Sequence, residues 1–397
     1  MIEMDEFREK MNKIKDLATV GTSNSISSLI SGVFWIFMAS LLGTEGYGQF
    51  SYFIAIASIA SIIAFLGIGN TIIVYTAKKE KFQSELYSLA IFSGIVASGI
   101  LFVIFQNIGI SVFVIGTIVF GIIASETLGL KNYQKYAKIL IIQRIMQVGL
   151  CISLFYISGI DGLILGYGIS YLPFIVLFYK KLSFRIDFRI IKKYFSFMMD
   201  SYSLNVSRRL SLSLDKLIIA PLFGFMFLGN YQLSVQIFGL MSILPQSVFQ
   251  YMLPQDATGK KLKKLKTYTI LLSIIFTIIG IFAAPVLLPI LFPDFEESIE
   301  LVQIMSIGII PLTVSLMYTS KFLGNENSRP ILYSSIIFII IQIGFILILG
   351  EFYGITGIAI ATVLAYTGRS IYLIIADKTT KDWKNFQINT LDCSWFL

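Results

Sequence analysis

Long apolar stretches recur along this chain, and short polar breaks separate them. Each stretch has about 20 residues, the length at which a helix crosses the hydrocarbon core of a bilayer. The breaks contain glycine, aspartate, asparagine or proline, as in the turn Gly43-Thr44-Glu45-Gly46. This pattern predicts twelve membrane helices, at about 18–42, 51–75, 86–105, 108–128, 139–157, 162–179, 196–223, 231–254, 268–291, 300–320, 331–349 and 354–375.

The composition agrees with a membrane protein and narrows its chemistry. Of the 397 residues, 56% are apolar and 14% are charged, whereas about a quarter of a soluble domain is charged. The chain has no histidine, which excludes Ser-His-Asp catalysis, Cys-His catalysis and metal sites with histidine ligands. Its two cysteines, Cys151 and Cys393, are too few for a four-thiolate metal site. We therefore expect no enzyme activity, no metal and no cofactor.

The positions of the basic residues test the number of helices. If the N-terminus is cytoplasmic, all but five of the 31 Lys and Arg residues fall in cytoplasmic segments, and none falls in an outer turn. This distribution obeys the positive-inside rule at every loop, and a single missed span would break it. We expect a multi-pass protein of the cell (plasma) membrane with both termini in the cytoplasm.

The net charge of +8 follows from the same distribution. The densest basic cluster, 260–266, lies in a short loop at the predicted inner face, where lysines orient the chain and attract anionic lipids. We therefore expect membrane lipids, and no nucleic acid, as partners of the basic residues.

The sequence contains an internal repeat. An offset of 181 residues aligns three positions of two turns: Gly43 with Gly224, Gly48 with Gly229, and Phe50 with Tyr231. The longest basic loop, 180–195, lies between the two copies. We predict two six-helix halves, 1–193 and 194–397, related by an axis along the membrane normal. The predicted fold class is an all-α polytopic membrane protein in which twelve helices form two halves around a central cavity.

The seventh predicted span is the most polar. Apolar side chains occupy one side of the helix, and polar side chains form two stripes on the other: Ser201, Asn205, Arg208 and Asp215 in one, Arg209 and Lys216 in the next. A charge at the middle of a bilayer costs at least about 2.5–3.5 kcal/mol, so such residues usually face a bundle interior or a wet cavity. The polar side therefore predicts a surface for water or for an anion.

The embedded charges of all spans are mostly basic. Five bases (Arg144, Arg208, Arg209, Lys216 and Arg369) accompany three acids (Glu126, Asp200 and Asp215). This excess favours an anionic guest, and arginine binds phosphate oxygens in a bidentate fashion. We predict substrate contacts for Arg208, Arg209, Arg144 and Asn205. We predict structural or coupling roles for Asp215, Lys216, Arg369 and Glu126, and snorkelling to the inner interface is the alternative for Arg369 and Glu126.

Two segments resemble a known family. The first is Leu41-Leu42-Gly43-Thr44-Glu45-Gly46-Tyr47-Gly48-Gln49-Phe50-Ser51, followed by a span that ends Leu66-Gly67-Ile68-Gly69-Asn70. The second is Asp215-Lys216-Leu217-Ile218-Ile219, followed by Gly224, Gly229 and Tyr231. Both resemble polysaccharide biosynthesis proteins, the O-antigen-type repeat-unit flippases of the multidrug/oligosaccharidyl-lipid/polysaccharide exporter superfamily.

The resemblance implies a function in the synthesis of surface polysaccharide. Members of this family export a polyprenyl-diphosphate-linked oligosaccharide from the inner to the outer leaflet by alternating access. By this resemblance the diphosphate would lie against Arg208 or Arg209, and Arg144 joins them on the strength of its charge alone. The implied partners are the lipid-linked oligosaccharide, membrane lipids, and a glycan polymerase or other assembly proteins.

Other functions stay open at this point. A multidrug-type cation antiporter of the same superfamily would need unpaired acids, and the embedded excess here is basic. A peptidoglycan-precursor flippase handles a related lipid, and the sequence does not separate the two glycans. A membrane glycan polymerase or ligase would usually carry a large outer loop, whereas every predicted outer turn is about ten residues or shorter. A purely structural scaffold would not need the polar side of the seventh span.

Overall fold

The computed structural model describes residues 2–80, 83–177, 188–258, 262–325 and 327–391. These residues form helices joined by short turns, without strands in the described ranges. The helices are α1 Ile2–Ala64, α2 Ile68–Ala77, α3 Gln83–Phe105, α4 Ile108–Gly129, α5 Tyr133–Ile169, α6 Phe188–Phe223, α7 Phe225–Met241, α8 Ile243–Ala257, α9 Lys263–Leu291, α10 Ser298–Ile307, α11 Ile309–Gly324 and α12 Arg329–Leu391, and a 3-10 helix covers Leu172–Leu177.

Three of these helices, α1, α5 and α12, are hairpins. Each is broken by a glycine with a left-handed backbone, with φ of 65° at Gly43, 61° at Gly159 and 57° at Gly354. The arms of α1 meet through the rings of Trp35 and Phe50, whose centroids lie 5.1 Å apart. In α5, a Cβ atom on Gly162 would lie 2.0 Å from the carbonyl oxygen of Leu154, and α12 makes the same approach at Gly357. The two arms of α5 and of α12 therefore run back along each other in close backbone contact.

The hairpins explain the number of membrane spans. By length and hydropathy, six helices of the described residues are able to cross a membrane, and the bent pairs α7–α8 (45°) and α10–α11 (41°) bring the number to eight. Three of the six are the hairpins, and each hairpin supplies two spans, which raises the number from eight to eleven. The more polar α6 supplies the twelfth. The predicted all-α membrane fold of twelve helices is therefore confirmed.

The chain divides into two compact units. The first unit comprises residues 1–38 and 49–213, and the second comprises 39–48 and 214–397. The tip of the α1 hairpin thus belongs to the second unit. The halves 1–193 and 194–397 stay a prediction.

In the first unit, α4 packs closely on the second arm of α5. A Cβ atom on Gly116 would lie 2.6 Å from the carbonyl oxygen of Gly168, and one on Gly109 would lie 2.8 Å from the backbone nitrogen of Leu165. Small residues allow such an approach of two helix backbones in a membrane. The contact fixes the arm of α5 that carries Tyr167, whose ring packs edge-on against Phe113 at 5.1 Å.

In the second unit, the tip of the α1 hairpin packs on the start of α7. A Cβ atom on Gly48 would lie 1.8 Å from the carbonyl oxygen of Phe225, and one on Gly229 would lie 1.8 Å from that of Thr44. The offset of 181 residues converts one contact into the other, because it relates Thr44 to Phe225 and Gly48 to Gly229. Two copies of the repeated turn therefore meet in a symmetric pair of contacts.

A second offset, of 195 residues, relates the hairpins α5 and α12. It converts the left-handed Gly159 into the left-handed Gly354. It also converts the contact of Gly162 with Leu154 into that of Gly357 with Leu349, and both distances are 2.0 Å. The repeat therefore extends from the first spans of each copy to the last.

Candidate functional site

Helix α6 holds three of the predicted substrate-binding residues within the first unit. Arg208 and Arg209 are exposed, and Asn205 is half-buried. Among the described residues, no salt bridge joins either arginine to a carboxylate. Both guanidinium groups are therefore accessible cations on the most polar span of the chain.

The second arm of the α5 hairpin and the turn after it bring two tyrosines close to both Arg144 and Arg209. The rings of Tyr167 and Tyr171 stack at 5.9 Å with an interplanar angle of 21°. Both tyrosine side chains contact Arg144, and both lie near Arg209. We call Arg144, Arg209, Tyr167 and Tyr171 the arginine site. It joins two of the predicted substrate-binding residues around a tyrosine pair that the sequence analysis did not single out.

Arg144 is held by the neutral amide of Gln147 rather than by an acid. Its Nη1 donates to Oε1 of Gln147 at 2.6 Å, while its Nε is buried without a hydrogen-bond partner among the described residues. Gln143 donates through Nε2 to Oγ of Ser170 at 3.1 Å. Gln143 and Gln147 are almost completely buried. The guanidinium therefore keeps its full positive charge and at least one unused donor.

The second unit contains a buried ion pair at Asp215. The Nζ of Lys216 lies 3.3 Å from Oδ1 of Asp215, and the backbone N–H of Lys216 donates to the same oxygen at 2.9 Å. The hydroxyl of Tyr231 donates to Oδ2 at 2.7 Å and lies 3.2 Å from Oγ1 of Thr362. Asp215 and Lys216 are only 4% and 8% exposed. The carboxylate is therefore buried, paired with Lys216 and hydrogen-bonded within the protein.

Arg369 extends this group on α12. Tyr366 lies near both Arg369 and Asp215, and its ring packs on Phe238 at 5.3 Å. We call Asp215, Lys216, Tyr231, Thr362, Tyr366 and Arg369 the Asp215 cluster. It contains three of the four residues for which structural or coupling roles are predicted.

Glu126 lies apart from both groups, on α4. Its side chain is 8% exposed and contacts the buried Tyr87 of α3. Within the described ranges, no group of three or more Cys, Asp or Glu residues is arranged to hold a metal ion.

The sequence model of one protein family covers more than half of the chain. Residues 37–255 match the family described as polysaccharide biosynthesis protein. The chain belongs to this family. No curated protein matches its sequence.

The chain shares its fold with transporters of the MOP superfamily. An inward-facing multidrug resistance MATE family transporter of that superfamily is 14% identical, with a TM-score of 0.67 over 93% of this chain and 96% of the other. The lipid II flippase MurJ, in an inward closed conformation, is 16% identical, with a TM-score of 0.73 over 92% of this chain and 90% of the other. At these identities the likeness establishes the fold.

The two units of the chain carry different side chains at positions that the repeat relates. The two offsets relate three aromatic residues of the first unit to three residues of the Asp215 cluster: Phe34 to Asp215, Phe50 to Tyr231, and Tyr167 to Thr362. Phe34 and Phe50 each lie 6.4 Å from Tyr167, centroid to centroid. At these three positions the first unit therefore has a cluster of aromatic rings, whereas the second unit has residues of the Asp215 cluster.

Several residues of both sites were missed by the sequence analysis, namely Gln143, Gln147, Tyr167, Tyr171, Tyr231, Thr362 and Tyr366. A signal for part of this set is present in the sequence, because the offset of 195 aligns Gly159-Ile160-Asp161-Gly162 with Gly354-Ile355-Thr356-Gly357. That alignment pairs Tyr167 with Thr362 and Tyr171 with Tyr366. No sequence signal indicates that Gln147 contacts Arg144, although the two residues are three positions apart on one helix.

Proposed function

We propose that the protein is a flippase that moves a polyprenyl-diphosphate-linked oligosaccharide from the inner to the outer leaflet of the cell membrane by alternating access. Its family and the fold it shares with MOP-superfamily transporters support a transport function in polysaccharide biosynthesis. The observation that carries the proposal is the arginine site, where Arg144 and Arg209 share two tyrosines without a paired carboxylate among the described residues. We propose no enzymatic activity.

The charge of the arginine site supports an anionic guest. A guanidinium within a membrane span is costly unless a partner compensates its charge. Neither Arg144 nor Arg209 forms an ion pair in the described part of the chain, so an incoming anion would supply the missing compensation. A diphosphate offers several oxygen acceptors, and arginine binds such oxygens in a planar, bidentate geometry. Arg208 and Asn205 lie on the same helix and are proposed as further contacts.

Asp215 does not offer a binding site for an organic cation. A transporter of such cations needs an acid that is free to bind its cargo, whereas Asp215 already accepts hydrogen bonds from Lys216 and Tyr231. We propose that Asp215, Lys216 and Arg369 have a structural or coupling role in the second unit. Glu126, buried against Tyr87, is proposed to have a role of the same kind in the first.

A transport assay with purified protein in liposomes tests the proposed substrate class. The probe is a polyprenyl diphosphate that carries one fluorescent N-acetylglucosamine, and a membrane-impermeant quencher reports its passage to the opposite leaflet. The matched lipids are the same glycan on a neutral polyprenol and a fluorescent peptidoglycan precursor. Protein-free liposomes measure spontaneous movement.

We expect protein-dependent movement of the diphosphate-linked glycan and none of the neutral lipid. Faster movement of the peptidoglycan precursor than of the N-acetylglucosamine lipid would assign the protein to peptidoglycan synthesis instead. If neither diphosphate lipid moves and a cationic dye accumulates, the protein is a cation antiporter and the proposed function is wrong.

A further inference from the structure

Two buried nitrogen donors in the first unit have no hydrogen-bond acceptor among the described residues. They are Nε of Arg144 and Nε2 of Gln147, and neither has a hydrogen-bond partner among the described residues. Buried polar groups in folded proteins are almost always hydrogen-bonded, so each such exception requires an explanation. Both donors belong to side chains that touch each other, because Nη1 of Arg144 donates to Oε1 of Gln147 at 2.6 Å. Each of these two side chains therefore has a buried N–H donor that lacks an acceptor.

A chain of hydrogen bonds connects Gln147 to the other arm of the α5 hairpin. Its Oε1 also faces Nε2 of Gln143, at 3.4 Å, and Gln143 donates to Oγ of Ser170 at 3.1 Å. Ser170 in turn donates to the backbone carbonyl of Tyr167 at 2.6 Å. Gln147 is fully buried, so its amide has little freedom to turn. The orientation of Arg144 is thus linked to the backbone that carries Tyr167.

We propose that Gln147 is the positioning residue of the arginine site and that the two unpartnered donors are met by oxygens of the bound diphosphate. This inference rests on the proposed function. An amide oxygen can hold a guanidinium in one orientation without cancelling its charge, whereas a carboxylate at the same place would form an ion pair with it. Gln147 therefore orients Arg144 and leaves its positive charge for an anionic group.

The repeat supplies a matched control for this position. The offset of 195 residues relates Gln147 to Gln342 of α12, which is 4% exposed and therefore almost equally buried. The residue that corresponds to Arg144 is Ile339, so Gln342 has no arginine at the matching position. A substitution of Gln342 changes a buried glutamine at the equivalent place without touching an arginine site.

The first test needs no substrate. Arg144 and Arg209 are labelled in the purified protein with phenylglyoxal, which reacts with guanidinium groups, and the rates are read by mass spectrometry of the digested protein. In Gln147→Met we expect Arg144 to react about fivefold faster, the factor expected for the loss of one hydrogen bond. Arg209 and the variant Gln342→Met should keep the wild-type rates. An unchanged rate at Arg144 in Gln147→Met would overturn the positioning role.

The second test measures the affinity of each variant for the fluorescent polyprenyl diphosphate in detergent. Gln147→Glu should bind about tenfold or more weakly, because the new carboxylate neutralises Arg144. Gln147→Met, which adds no charge, should lose less affinity, and Gln342→Glu should bind like the wild type. Monodisperse elution is required of every variant, and if Gln147→Glu does not fold, Gln147→Met carries the comparison.

The outcomes separate the two proposals. If the wild type binds the diphosphate lipid and both Gln147 variants bind it equally well, the inference about Gln147 is wrong and the proposed function stands. If the wild type binds no diphosphate lipid, the proposed function and the ligand assigned to the two donors fail together.

Discussion

Gly48 and Gly229 sit at equivalent positions of the internal repeat and make the same contact from opposite sides. A Cβ atom on Gly48 would lie 1.8 Å from the carbonyl oxygen of Phe225, and one on Gly229 would lie 1.8 Å from that of Thr44. Real Cβ atoms do not approach a backbone oxygen so closely, so only glycine fits either position. The two copies of the turn therefore depend on each other for their packing within the second unit.

The first prediction concerns this pair of glycines. Gly48→Ala and Gly229→Ala should each destabilise the protein by about 1–3 kcal/mol, because the added methyl group must push two backbones apart. The measurement is the thermal unfolding of the detergent-solubilised protein. The control is Gly344→Ala, since a Cβ atom on this helical glycine would meet nothing within 4 Å. Equal melting temperatures for all three variants would contradict the symmetric contact.

The second prediction concerns the buried ion pair. Asp215→Asn should destabilise the second unit by about 3–5 kcal/mol, because it leaves the ammonium of Lys216 buried without its partner. Tyr231→Phe removes one hydrogen bond to the carboxylate and should cost about 1.5–3 kcal/mol. The double variant Asp215→Asn/Lys216→Met should recover part of the loss of the single one. These free energies of unfolding come from denaturant titrations, and a double variant that is less stable than Asp215→Asn would show that the two side chains do not form a pair.

The third prediction concerns the link between the end of α2 and the start of α6, outside the predicted spans. Nζ of Lys193 donates to Oε2 of Glu80 at 2.8 Å, and the hydroxyl of Tyr194 donates to the same oxygen. The hydrogen bond from Lys193, followed by that from Tyr194, lowers the pKa of Glu80. A carboxyl group whose pKa is lowered by folding stabilises the protein above its unfolded pKa, about 4.3, and loses this contribution as the pH falls through the lowered value.

The stabilisation by Glu80 should therefore be constant from about pH 5 to pH 8 and disappear in more acidic solution. The measurement compares the melting temperatures of the wild type and Glu80→Gln across this range. Glu351→Gln, which changes an exposed carboxylate on α12, is the control. A difference between wild type and Glu80→Gln that grows below about pH 4 would have the wrong sign for a lowered pKa.

The sequence predicts the spans well because membrane helices carry a strong and regular signal. Twelve apolar stretches and the distribution of Lys and Arg are enough to obtain the fold, and Gly43 marks the first hairpin turn. The bends at the ends of α7 and α10 depend on packing between helices, which has no comparable signal along the chain. Hydropathy also underestimates α6, because Arg208, Arg209 and Asp215 lower the mean hydropathy of this span.

The residues of the two sites are harder to predict from the sequence than the spans are. Arg144 and Arg209 stand out as charges in apolar spans, so both can be picked without a structure. Tyr167 does not stand out, because tyrosine is an ordinary residue of a membrane helix, and its place beside both arginines results from the return of the chain at Gly159. Contacts between residues on different helices follow from tertiary packing, and single-residue properties do not determine them.

The most direct test of the central claim is the transport of the fluorescent polyprenyl-diphosphate N-acetylglucosamine by Arg144→Gln/Arg209→Gln in liposomes. The control, Lys264→Gln/Arg329→Gln, removes the same charge from exposed positions at the starts of α9 and α12. We predict a fall in rate of about 100-fold or more for the first variant, since each arginine loses a charged hydrogen bond to the diphosphate, and a rate near that of the wild type for the control. Wild-type transport by Arg144→Gln/Arg209→Gln would contradict the claim that the arginine site binds the diphosphate.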